Sequence, residues 1–272
     1  MTLSEKTIVV NGKHVHYWED GEQFPQTLLL LHGGFGNAHL NWKEAIPHLA
    51  DDYHVIAPDL PCFGQSDAIN LTIQNLVNWT KAFLDALELE QVVMVGHSFG
   101  GLVTRIFASQ FPKYTPAVAL VNGGVIPAVP AVAKVVARMP ILGSLLYRQI
   151  AKSSTNLSSL ESAIRTKDVL TTELRNGIRA EAPALAKLMR ALTTSPIPPE
   201  RVPPLPVLLL WGEEDSVTPR VVGEHIHNNL KGSKLSLVAD VGNMPHVEVP
   251  DVFGWQIKQF LIDLDRPRRI ET

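Results

Sequence analysis

The chain has 272 residues, 45% of them hydrophobic, a formal net charge of -3 and one cysteine, Cys62. That length suits one domain with an insertion or two small ones, and a chain near this size buries roughly three quarters of its unfolded surface without disulfide or metal staples. The charge argues against a global nucleic-acid surface, and a lone cysteine excludes an internal disulfide, which fits a reducing compartment.

The N-terminal MTLSEKTIVV lacks the basic and apolar parts of a signal peptide. TIVVNGKHVHYWED (7–20) reads as a hairpin around Asn11-Gly12. His14 and His16 share one strand face there, but no third ligand accompanies them, so no metal site is expected. Apolar runs of strand length follow at TLLLLHG (27–33) and HVIAPDL (54–60), then a helical pattern over 72–90 with Ile73, Leu76, Val77, Phe83, Leu84 and Leu87 at mainly three- and four-residue spacing. QVVMVGHS (91–98) is the next strand, FGGLVTRIFASQF (99–111) a helix and AVALVNG (117–123) another strand. Residues 114–133 carry no charge over a membrane-like length, but Pro116, Pro127, Pro130, Asn122, Gly123 and Gly124 make a spanning helix untenable; a buried strand and a loop are expected instead.

Between 125 and 203 no strand pattern recurs, only helix-like pieces ending in SPIPPERVPPLP. Strands resume at PVLLLWG (206–212) and KLSLVAD (234–240), around a helix at 219–230, with a last helix from Pro250. Near-continuous apolar strands alternating with helices predict a doubly wound α/β domain whose mostly parallel sheet is covered on both faces. The expected division is a core of residues 1–124 and 204–272 with a helical cap over 125–203. Residues 91–160 hold no Asp or Glu but six Lys or Arg. Burial of strands and helices accounts for most of that bias; a basic, greasy lid facing an acidic or amphipathic ligand is the sharper reading. The whole reads as a soluble, cytoplasmic protein without a transmembrane segment.

Gly96-His97-Ser98-Phe99-Gly100 is a G-x-S-x-G motif between a strand and a helix. The sharp turn requires small residues at 96 and 100, strains Ser98, and points the N–H of Phe99 at a developing oxyanion. His97, inside the motif, is expected to be a packed neighbour.

On this motif the chain resembles the α/β-hydrolase fold family over nearly all of residues 5–265. LHGGFGN (31–37) is similar to the family's loop that supplies the second oxyanion N–H, which by position implies Gly34 or Phe35, with His32 bracing the loop. APDLPCFGQSD (57–67) resembles the loop after the next strand, where a glycine is usual at the place of Cys62. Serine at the elbow sets the chain apart from dehalogenases and epoxide hydrolases of this fold, which use aspartate, and implies acyl transfer to water. LLLWGEEDSVTP (208–219) places Asp215 at the family's triad acid, ahead of Glu213 and Glu214. The alternative acid site, Asn122-Gly123-Gly124, has no carboxylate.

The base is the open question. Chain order selects His246. The resemblance instead aligns VGNMPHVEVP (241–250) so that Asn243 takes the position of the catalytic histidine and His246 that of its neighbour. Asparagine cannot take a proton from serine near neutral pH. Three accounts follow: His246, about one helical turn away, has taken over; the chain lacks a base; or asparagine was exchanged for histidine on purpose.

The expected function is therefore a serine hydrolase of a carboxylic ester or related acyl compound. Carbon–carbon bond hydrolysis and perhydrolysis on the same scaffold are rivals, and a ligand-binding receptor or a non-hydrolytic lyase or cyclase with a degenerate triad are others. The expected partner is a small molecule with an apolar acyl or ring group. No cofactor is expected, because no phosphate-binding glycine loop is present, and oligomeric state is not legible.

Overall fold

A computed structural model describes residues 3–125, 129–198 and 205–265. Strands β1 (Ser4–Val10) and β2 (Lys13–Asp20) form the hairpin, and Asn11 and Gly12 both take positive φ, 50° and 75°, as a tight two-residue turn requires. There follow β3 (Thr27–Leu31), the short helices α1 (Ala38–Trp42) and α2 (Pro47–Ala50), β4 (His54–Pro58), α3 (Ile73–Ala86), β5 (Val93–His97), α4 (Phe99–Gln110) and β6 (Val118–Val121). The described residues before β7 hold α5 (Ala131–Arg138), α6 (Pro140–Ser154), α7 (Leu157–Ala163), a 3-10 turn (Lys167–Val169), α8 (Thr172–Ala180) and α9 (Ala182–Thr194). The chain then runs through β7 (Val207–Gly212), α10 (Arg220–Asn229), β8 (Lys234–Val238), α11 (Pro245–Glu248) and α12 (Pro250–Asp265). Residues 126–128 and 199–204, which include half of the proline-rich run and the expected 203/204 cap boundary, lie outside the described residues, as do 1–2 and 266–272.

The sheet has the order β1-β2-β4-β3-β5-β6-β7-β8. β2 runs antiparallel to β4, and every pairing from β4–β3 to β7–β8 is parallel. Successive side chains of a strand point to opposite faces, so each central strand feeds two cores. Leu29, Leu31, Met94, Leu120 and Leu209 pack with Phe83 of α3 and Ile106 of α4. Leu28, Leu30, Val95, Ala119 and Leu208 pack with Trp42, Leu49 and Phe253 of α1, α2 and α12. That two-sided burial is why these strands read as unbroken apolar runs rather than alternating ones. The loops at the carboxyl ends of β3 to β8 gather at one edge, where open parallel sheets bind ligands. α9 lies over that edge, and its Ala184 and Leu188 join the core beneath.

Candidate active site

Ser98 sits between β5 and α4 at φ 50°, ψ -111°, a conformation that L-residues rarely adopt. The surroundings hold it there. Its N–H donates to Val121 O at 2.8 Å, and its carbonyl accepts from Leu102 N–H and Gly124 N–H at 3.3 and 3.2 Å. A Cβ on Gly100 would collide with Leu31 O, and one on Gly123 with the backbone of Ser98. Glycine at these places lets the ends of β3 and β6 approach the elbow closely.

Ser98 faces a cavity of about 430 Å3. Gly34, Phe35, Phe99, His97 and Asn243 share its lining, so the structure brings Ser98, the three residues expected to supply oxyanion donors, and position 243 to one space. The opposite wall comes from α6 and α9, through Tyr147, Ile150, Leu185 and Met189. A pocket of this size and apolar character suits an acyl or ring group.

Asp215 is 4% exposed, whereas Glu214 is exposed and Glu213 half-buried. Its Oδ1 accepts Val217 N–H at 2.7 Å and Thr218 N–H at 2.9 Å. Its Oδ2 accepts Asn122 Nδ2 at 2.6 Å and Asn243 Nδ2 at 3.0 Å. Burial raises the Asp215 carboxyl above the usual carboxylate value, against the opposing pull of these donors. Asn243 is itself fixed by its backbone: its N–H donates to Ala163 O at 2.7 Å and its carbonyl accepts from His97 Nε2 at 2.9 Å.

The structure does not bring His246 to this group. Its ring is fully buried beside Trp42, His97 and Phe253; Nε2 meets Asn41 Oδ1 at 3.2 Å and Nδ1 has no hydrogen-bond partner. Asp215 is thus met by Asn243, one turn before His246 and on the cavity side. Burial holds the His246 imidazole well below its ordinary value and brings His97 down to about 4, so both are neutral at physiological pH. His32 also braces: Nδ1–H donates to Gly33 O at 2.7 Å, and Nε2 accepts Leu60 N–H at 2.9 Å.

Two features escape a linear reading, and a third, at Cys62, gains its physical reason. Asn122, noted in the sequence only for lacking a carboxylate, is a direct partner of Asp215; its Oδ1 also accepts Gly212 N–H at 3.2 Å. Glu248 accepts backbone N–H groups from Arg165, Thr166, Gly242 and Met244 at 2.8 to 3.2 Å, fastening the loop of Asn243 to the segment after α7. Cys62 has φ 77°, the left-handed region that favours glycine, which is the physical sense of a glycine at that place in relatives. For Asn122 the sequence offers a polar residue ending an apolar strand, without its partner.

A profile of the alpha/beta hydrolase fold matches residues 26–158. The chain is 28% identical to an uncharacterised hydrolase, YugF, of Bacillus subtilis over 94% of its own length and 97% of that protein. It is 27% identical to a 2-hydroxy-6-oxo-6-phenylhexa-2,4-dienoate hydrolase of Burkholderia cepacia, covering 96% of this chain and 95% of the relative. Among solved structures, a meta-cleavage product hydrolase of Pseudomonas fluorescens IP01 superposes with a TM-score of 0.76 at 21% identity, over 97% of this chain and 99% of the other. With the sheet order, the profile and hydrolases matched end to end, the chain has the α/β-hydrolase fold and is similar to hydrolases along its whole length.

Proposed function

We propose that the chain is built as a serine hydrolase for a carboxylic ester or related acyl compound, with Asn243 at the position of its general base. Ser98 is the nucleophile and Asp215 the acid. The N–H of Phe99 and that of Gly34 or Phe35 face the oxyanion, and residues 125–203 cap the apolar pocket. The observation that carries this reading is the 3.0 Å contact from Asn243 Nδ2 to Asp215 Oδ2. It is the hydrogen bond that a triad histidine makes with its acid.

The consequence follows from proton bookkeeping. When Ser98 Oγ bonds to the acyl carbon, its proton must leave to an acceptor. An amide can accept a hydrogen bond but not that proton near neutral pH. The chain therefore holds an acyl ligand against Ser98 and the oxyanion donors, and turns it over slowly.

A generic activated ester tests this. Loss of the histidine of such a triad costs about 10⁶ in kcat, so Asn243→His is expected to raise hydrolysis by about 10³ or more, and Ser98→Ala to abolish the gain. Parent activity equal to that of Asn243→His, and lost in His246→Ala, would overturn the proposal in favour of His246. The same Asp215–Asn243 contact favours a second reading, a ligand-binding protein on a degenerate scaffold. Binding by the parent with no gain from Asn243→His would select it. Carbon–carbon hydrolysis, suggested by the Burkholderia relative, draws on the same residues. A 2-hydroxy-6-oxo-dienoate given to Asn243→His beside the ester distinguishes the two bonds.

A further inference from the structure

α5 and α6 turn their aliphatic side chains outward. α6 packs on α9 through Tyr147 and Ala151 and on α5 at Gly143, while Ile141 is 77% exposed and Leu145 56%. α5 buries Ala137 and leaves Val132 76% exposed. The turn between the helices is built and fixed: Arg190 donates from Nε to Ala137 O at 2.7 Å and from Nη1 to Ser144 Oγ at 2.9 Å. Scattered exposed aliphatics are ordinary, but a contiguous patch on a fixed helix pair marks an interaction surface.

Its charge is one-sided. Lys134, Arg138, Arg148 and Lys152 lie on these two helices, and no Asp or Glu occurs between residues 91 and 160. Ile141, Leu145, Arg148 and Lys152 are spaced four, three and four apart, which makes one stripe about 16 Å long, aliphatic at its start and cationic behind. Beside it a cleft of about 660 Å3 is lined by Arg148, Lys152 and Arg179 with Thr155 and Asn156. None of these three cations pairs with an acidic side chain among the described residues.

We propose that the outward face of α5 and α6 docks on an anionic phospholipid bilayer, its aliphatics entering the acyl boundary and Arg148, Lys152 and Arg179 receiving headgroup phosphate. Aliphatic residues with a cationic collar are the chemistry that such a surface selects. A second copy of the chain fits less well, because a two-fold contact through this patch would set the same cations against each other. The other side of these helices lines the cavity of Ser98 through Ala133, Tyr147 and Ile150. Docking therefore brings the pocket to the lipid surface, and holds whether or not Ser98 turns over.

Flotation of the full chain with phosphatidylcholine vesicles, with and without phosphatidylglycerol, tests the docking. Binding is expected on the anionic vesicles and to weaken with salt. It should fall about tenfold or more in Ile141→Ser/Leu145→Ser and in Arg148→Gln/Lys152→Gln, both on exposed positions. Three results would each overturn it: no preference for anionic vesicles; binding unchanged in both double variants; or a parent dimer that Ile141→Ser/Leu145→Ser converts to monomer. Binding of inorganic phosphate without vesicle binding would also count against it.

Discussion

Asparagine and histidine reach similarly far from the backbone, and Asn243 Nδ2 donates to Asp215 as an imidazole Nδ1–H would. What asparagine lacks is the second ring nitrogen, the one that faces the nucleophile. Compared with histidine, asparagine keeps the structural hydrogen bond and lacks only the proton acceptor, so Asn243→His is expected to change stability by less than about 1 kcal/mol. Asn122 donates to the same carboxylate oxygen as Asn243. Its 2.6 Å donation favours the charged form of Asp215. Removing it in Asn122→Ala should move the Asp215 titration, followed by carboxyl carbon NMR, to still higher pH. An unmoved or lowered titration would contradict that role. Ser98 and its glycines were legible because the elbow is local, five residues of one turn. Asn122 was not, because its meaning depends on Asp215, 93 residues away.

At the scale of elements, the strands were the easiest to read and their ends the least exact. β3 stops at Leu31, where the apolar run continues to Gly33, because His32 leaves the ladder to bond Gly33 O and Leu60 N–H. The helix at 245–248 was hidden for a similar reason: its four residues are set by Glu248, whose carboxylate gathers amides of its own loop and of the segment after α7. A motif gives Glu248 a position but no partner, since Arg165 lies 83 residues earlier. Glu248→Ala would leave several buried N–H groups unsatisfied and should cost about 3 kcal/mol or more. Urea denaturation measures it. Hydrogen exchange should rise first at Gly242, Met244 and Thr166, and uniform protection there would argue against the clamp.

For the whole molecule the buried histidines set a pH profile. Burial holds His32 and His246 below their ordinary value and His97 down to about 4, so below about 6.5 the unfolded chain takes up protons that the folded chain refuses. Each such group removes up to about 1.4 kcal/mol per pH unit as pH falls. His16 acts in the other direction. Its hydrogen bond to Asp59 raises it, so its stabilisation is complete below about 6.5 and is lost as pH rises through the folded value. The urea midpoint is expected to peak near neutrality and fall steeply towards pH 4.5; a flat acid limb would refute the buried neutral histidines. None of this was readable from ten scattered histidines, because burial, not spacing, sets their proton affinity. The pairing of Asn243 with Asp215 reaches beyond the folded chain to its gene. Codons for asparagine and histidine differ in their first base alone, so the amide and imidazole forms of this scaffold are adjacent genotypes, and a lineage can cross between them without rebuilding anything else.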